Sequence, residues 1–201
     1  MTTAKDLFII AMDPHGKHSV GQGDLSLALA GAELVDLISA GAVTLDGDRI
    51  VPGRPSEPDD DLLAQAFAAL SRQVPHEPVE DWLWRRGRGL AAAYQTALEQ
   101  GGQLAPERRG RTPFGSDRVG LVDSPARARA LDRWQRNEPV LAALAAVVGV
   151  ESGRSTQEAH LPDEAVTTVV AVVNDAVMEL EAVRQRRSIE NAAFANLWRG
   201  L

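Results

Sequence analysis

Two groups of arginines stand out as residues that could do chemistry. Arg85, Arg86 and Arg88 fall within four positions, and Arg108, Arg109, Arg111 and Arg118 crowd a second stretch. Arginine's planar fork of N–H donors matches the oxygens of a phosphate, so both groups suit an anionic headgroup. Phe114 lies inside the second group, where an apolar ring beside guanidinium groups could enter a lipid interface. The alternative is a solvated helix face whose arginines pair with nearby acids. The chain supplies 28 acids against 21 Lys and Arg, so such partners are plentiful.

Other side chains carry weaker chemistry. His15 and His18 flank Gly16-Lys17, a spacing that could present two imidazoles to a metal, but no carboxylate-rich motif accompanies them and a surface loop is the expected role. His76 and His160 sit beside prolines or in loops. Trp82 and Trp84, two apart on a helix, cannot share a face, so one belongs in the core and the other is partly exposed, with a ligand platform as the alternative. Gly21-Gln22-Gly23 is not followed by Gly-Lys-Ser/Thr and opens no dinucleotide fingerprint. No Gly-x-Ser-x-Gly elbow or catalytic carboxylate pair is present. Cysteine is absent, which excludes disulfides, thiol catalysis and thiolate metal sites. No catalytic residue, metal or cofactor is therefore expected, and the reading leans away from an enzyme.

These residues need a frame. A chain of 201 residues, 44% hydrophobic and 24% charged, can bury one sizeable core. Aromatics are only 4% while Ala, Leu and Val abound, which suits closely packed helices better than sheets. The net charge of −7 disfavours nucleic acid and any general attraction to anionic lipid, so a polyanion would have to meet a local basic patch. The first residues lack a signal-peptide pattern and no run approaches a membrane span, so the expected location is the cytoplasm, with peripheral attachment at a membrane.

Along the chain, Leu7 to Met12 reads as a short buried helix. Asp24 to Ala40 reads as a helix apolar over most of its circumference, capped by Asp24 and closed by Gly41. Asp46-Gly47-Asp48 predicts a hairpin between Val43-Thr44-Leu45 and Arg49-Ile50-Val51. Asp59-Asp60-Asp61 predicts the start of a helix ending near Gln73. One long helix is expected over 79–100, weakened or bent at Gly87 and Gly89 and stopped by Gly101-Gly102. Leu104 to Val122 reads as a hairpin with a basic, Gly/Pro-rich tip. Ser124-Pro125 and Pro139 each open a helix. From Pro162 a long valine-rich stretch keeps a helical period, and a last segment, 191–201, is expected to dock through Phe194, Leu197 and Trp198. The whole is predicted to be one mainly α domain, with a central helix wrapped by amphipathic ones and one or two short hairpins.

The order of these elements, with Gly31-Ala32-Glu33-Leu34-Val35-Asp36-Leu37 leading to Gly41, the Thr44-Leu45 hairpin and Val79-Glu80-Asp81-Trp82-Leu83, resembles the Golgi phosphoprotein 3 (GPP34) family, in a bacterial-type form, over nearly the whole chain. That resemblance implies a helical domain and, for eukaryotic members, a pocket for the headgroup of phosphatidylinositol 4-phosphate and binding to cytosolic tails of glycosyltransferases. The family's pocket draws on a Trp before the central helix, an Arg just before that helix's Gly, and two arginines three apart on the long helix. The matching positions here are Gly21, Ala30, Arg88 and Ala91, so Arg88 alone keeps the family's residue type.

The leading expectation is a peripheral membrane or partner-binding protein that meets an anionic phospholipid headgroup or a protein tail through Arg85, Arg86, Arg88 and Arg108, Arg109, Arg111, with Phe114 at the membrane. Two alternatives stay open. One is a bacterial biosynthetic enzyme or accessory protein that uses the altered pocket for another small ligand. The other is a winged-helix regulator, with 24–40 as recognition helix and the Asp-Gly hairpin as wing.

Overall fold

The computed structural model describes residues 2–13, 20–53, 58–106, 119–150, 161 and 163–199, with the side chains of the last helix described as far as Asn191. Eight helices and two antiparallel two-stranded ribbons make up the described residues, so the mainly α expectation holds.

Helix α1 (Thr3–Ala11) is buried through Leu7, Phe8, Ile9 and Ile10. Its exposed first-turn amides are satisfied twice. The Thr2 hydroxyl accepts from Lys5 N–H, and the Asp36 carboxylate accepts from Thr3 and Ala4 N–H at 3.0 and 3.2 Å. Asp36 belongs to α2 (Gln22–Ser39), so the cap of one helix is also a tie to the next.

Helix α2 is the centre of the domain, with twelve of its residues buried from Leu25 to Leu37. It packs against α1 and against five helices introduced below. Each large apolar side chain sealed this way contributes about 1.5–3 kcal/mol. The helix stops as its sequence predicts. Gly41 takes the left-handed conformation at φ +67, Gly41 N–H bonds Ile38 O and Ala42 N–H bonds Leu37 O, closing a Schellman motif. The start differs. Gly21, not Asp24, is the N-cap, and Asp24 lies inside the first turn with its carboxylate held by Arg184 at 2.7 and 2.8 Å.

Strands β1 (Val43–Asp46) and β2 (Arg49–Pro52) form the predicted hairpin, with Leu45 opposite Ile50 and Gly47 at φ +62 in the turn. Helix α3 (Asp61–Ala68) starts at Asp60, whose carboxylate accepts from Leu62 and Leu63 N–H. It ends before the expected Gln73, because i→i−3 bonds from Ala69 and Leu70 tighten the last turn and bury Leu70.

The long helix expected over 79–100 is two helices. Helix α4 (Val79–Arg86) and α5 (Leu90–Gln100) are separated at Gly87-Arg88-Gly89, where Gly89 sits at φ +68. A left-handed residue cannot propagate a right-handed helix. Of the two tryptophans, Trp82 is fully buried and donates from Nε1 to Ala30 O at 3.1 Å, while Trp84 is partly buried, as their spacing requires.

Strands β3 (Leu104–Pro106) and β4 (Val119–Leu121) pair with Leu104 opposite Leu121. They form the base of the predicted hairpin. Its tip, with Arg108, Arg109, Arg111, Phe114 and Arg118, lies outside the described residues, as do His15, His18 and His160.

Helix α6 (Pro125–Gln135) is capped by the Ser124 hydroxyl, which accepts from Arg127 N–H. Helix α7 (Pro139–Val147) follows, capped by the Glu138 carboxylate. Helix α8 runs unbroken from Glu164 to Arg199, so the expected last segment is the continuation of this helix. The side chains proposed to dock it, Phe194, Leu197 and Trp198, lie outside the described ones.

Helix α8 packs on α2, α4 and α7 and buries Val166, Val169, Val173 and Ala176, with Val169 and Val173 beside Gly31 of α2. Gly31 makes the contact possible, since a Cβ there would stand 2.3 Å from a Val173 methyl. Burial of α2 on this scale also leaves it no free face for a DNA groove, which removes the physical basis of the winged-helix reading.

Candidate anion-binding site

The three helix arginines have different environments. Arg85 donates from Nε and Nη2 to the two oxygens of Glu77, both at 2.7 Å, and from Nη2 to Ala69 O at 3.1 Å. Its guanidinium also lies 5.3 Å from the Trp82 ring centre. Arg86 points inward. It grips the carboxylate of Glu33 at 2.8 and 2.9 Å, and its Nη2 reaches Leu62 O at 3.2 Å. Tyr94 donates its hydroxyl to the same Glu33 at 3.1 Å, so both oxygens of a fully buried acid are satisfied.

Burial nevertheless pushes the Glu33 carboxyl above its ordinary value, against the hydrogen bonds and charge of Arg86. Burial, and then the Glu33 charge, push the Tyr94 phenol well above its own. The network is a largely buried clamp joining α2, α4 and α5. Arg85 and Arg86, expected to face a ligand, already have carboxylates of their own, Arg85 at the surface and Arg86 towards the core.

Arg88 stands apart. It is exposed and makes no ion pair or side-chain hydrogen bond among the described residues. Its turn is held by backbone contacts. A Cβ on Gly87 would stand 2.6 Å from Leu83 O and 3.3 Å from Ser26 O, and the Ser26 hydroxyl, which accepts from Ala91 N–H at 3.1 Å, ties the start of α5 to the start of α2. Gly89 supplies the left-handed conformation that turns the chain around Arg88. The arginine is thus projected from a rigid support rather than from a loose loop.

The other sequence-matched positions are closed. Ala30 is fully buried with its carbonyl taken by Trp82, and Ala91 is only 3% exposed. At the start of α2, a Cβ on Gly23 would meet Arg184 Nη2 at 2.8 Å, so Arg184 and its partner Asp24 cover the helix end next to Gly21. No cluster of three or more metal-ligating side chains occurs among the described residues. No helix among them is long and apolar enough to cross a membrane.

The family model of Golgi phosphoprotein 3 (GPP34) matches residues 4–191. The chain belongs to that family. The match takes in every element from α1 into the exposed part of α8, and with it Arg88, the two hairpins and the Glu33 clamp. No curated protein matches the chain.

Sequence reasoning missed Glu33, Glu77 and the Arg184–Asp24 pair. Glu33 did leave a signal, an acid in the middle of the apolar stretch from Leu27 to Val35, which requires a buried counter-charge if that helix is central.

Proposed function

We propose that this GPP34-family protein is a peripheral membrane or partner-binding module that engages an anionic group, a phospholipid headgroup or a phosphorylated or acidic protein tail, through Arg88. What supports this is the contrast among the helix arginines. Arg85 and Arg86 are neutralised by Glu77 and Glu33, whereas Arg88 is exposed, unpaired among the described residues and rigidly presented. An unpaired guanidinium on a fixed support keeps its donors for an external oxyanion and loses little entropy on binding. Arg108, Arg109 and Arg111 remain the proposed second half of the site, with Phe114 as the proposed membrane contact. The sealed positions of Ala30 and Ala91 argue against a small-molecule pocket between α2 and α5, and so against the enzyme alternative.

Co-sedimentation with vesicles of phosphatidylcholine alone, or with phosphatidylserine or phosphatidylinositol 4-phosphate added, tests the membrane form. The expected result is salt-sensitive binding to the anionic vesicles, weakened about tenfold or more by Arg88→Ala, the loss of one charge-assisted contact. Binding unchanged by Arg88→Ala and Arg111→Ala together, or no binding to any vesicle, overturns it.

A further inference from the structure

Arg184 of α8 holds its acids with a single nitrogen. Nη1 donates to Asp24 Oδ1 and Oδ2 at 2.8 and 2.7 Å, and Glu181 Oε2 lies 3.6 Å from the same nitrogen. Nε and Nη2 make no hydrogen bond among the described residues, and the side chain is 39% exposed. In Arg85 and Arg86 those same two nitrogens, Nε and Nη2, grip both oxygens of one carboxylate. The two-donor edge that matches an oxyanion is thus filled in Arg85 and Arg86 and unfilled in Arg184.

The unfilled edge lies beside the support of Arg88. Arg184 Nη2 stands 2.8 Å from where a Cβ of Gly23 would be, so the missing side chain lets it rest against the first turn of α2. Three residues on, the same helix meets the Arg88 turn. Ser26 O is 3.3 Å from the corresponding point at Gly87, and the Ser26 hydroxyl accepts from Ala91 N–H. Positions three apart on a helix are neighbours, about 5–6 Å from each other, so two long side chains rooted here can meet on one ligand. Asp24 and Glu181 approach Arg184 only at Nη1. The next acids of α8 on either side, Glu179 and Glu190, are five and six residues from it, about 8 and 9 Å along the axis. Asp24 therefore fixes the guanidinium without occupying its edge, which keeps the ordering cost of binding low.

We infer, resting on the Arg88 reading, that Arg184 is a further cation of the same anion site, taking two oxygens of a phosphate group on its Nε and Nη2 while Asp24 holds Nη1. The site then spans α8 as well as the turn between α4 and α5.

Two measurements on the full chain test this apart from the Arg88 reading. In co-sedimentation with the anionic vesicles, Arg184→Ala should weaken binding about tenfold or more. Arg184→Lys should weaken it nearly as much, because an ammonium keeps the charge but lacks the two-donor edge. Urea titration checks that both variants stay folded. In the nitrogen-edited proton spectrum of the arginine Nε–H groups, the Arg184 and Arg88 signals should respond to ligand while those of Arg85 and Arg86, already on carboxylates, stay in place. A shift with inorganic phosphate supports the inference with phosphate alone as a sufficient ligand, and a response to vesicles only supports it with a lipid headgroup as the source. Binding that depends on Arg88 but is unchanged in Arg184→Ala, full binding by Arg184→Lys, or an Arg184 signal indifferent to both probes while that of Arg88 responds, overturns the inference and leaves the Arg88 reading standing. No binding to any vesicle, or binding indifferent to Arg88→Ala, overturns both.

Discussion

The guanidinium of Arg86 closes on the carboxylate of Glu33 from 53 residues away, with Nε to Oε2 at 2.8 Å and Nη2 to Oε1 at 2.9 Å, inside a predominantly apolar core. The pair stabilises only as a pair. Taking two charges out of water costs several kcal/mol each, and their attraction roughly offsets that. Glu33→Ala is therefore expected to lower unfolding free energy by about 3 kcal/mol or more, since it strands Arg86 and the Tyr94 hydroxyl. Glu33→Leu with Arg86→Met should cost far less than the sum of the single changes. Urea titrations of the four proteins in a double-mutant cycle measure the coupling.

Two further buried acids give stability a definite pH dependence. Burial raises the carboxyls of Asp6 and Asp36 above the ordinary aspartate value of 3.8, outweighing the Arg133 contacts of the first and the α1 amide bonds of the second. Asp6 Oδ1 is buried without a partner, in keeping with that direction. Because the folded chain holds these protons more tightly than the unfolded one, their contribution is complete below 3.8 and is lost as pH rises through the folded values. The urea midpoint should thus increase as pH is lowered from neutral towards that range, and Asp36→Asn should flatten the slope.

Gly31→Ala sets two effects against each other. Alanine favours helix by about 1 kcal/mol, but its Cβ would stand 2.3 Å from a methyl of Val173, a fully buried residue with a stiff β-branched side chain. Overpacking of this kind costs about 1–3 kcal/mol, so net destabilisation is expected, and Val173→Ala added to it should recover part of the loss. Thermal unfolding of the two single variants and the double variant decides the sign.

Around Arg88, stability and binding should separate. Arg88→Ala is expected to leave stability within about 0.5 kcal/mol, as for other exposed surface residues, while reducing binding to anionic vesicles. Gly89→Ala has no steric neighbour within 4 Å but must hold φ +68, which costs about 1 kcal/mol. Its effect on binding measures how far the turn itself orients the arginine.

Much of the fold was legible in local chemistry. The left-handed stop at Gly41, the hydroxyl cap at Ser124, the Asp60 cap and the Asp-Gly hairpin are each set by neighbouring residues, so a few positions of sequence suffice. What escaped depends on distance or on the sign of a dihedral. Asp24 looks like a helix cap until Arg184, 160 residues away, takes its carboxylate and Gly21 opens the helix instead. Gly89 signals weakness in a helix, but not that its φ is positive and the helix is cut there. Arg85, Arg86 and Arg88 read alike in sequence. Their roles divide because the packing of α4 on α2 brings Glu33 to Arg86, while the segment that leads into α4 and bonds the hairpin at Ile50 brings Glu77 back to Arg85, neither of which the arginine cluster shows by itself.

The attachment of α8 has a mechanical consequence. Val173 seats over Gly31 and Arg184 is bound to Asp24, two fixings eleven residues apart, or about 16 Å along the axis. Beyond Arg184 the helix runs on for about 22 Å to Arg199, and its side chains are exposed from Gln185 as far as Asn191. A rod seated along one part of its length and exposed just past its last tie is a lever. A sideways movement of 1 Å at Arg184, pivoting on Val173, becomes about 2 Å at the far end. Whatever grips that end can be felt at the first turn of α2, one turn of helix from the Ser26 hydroxyl that anchors the base of the Arg88 turn.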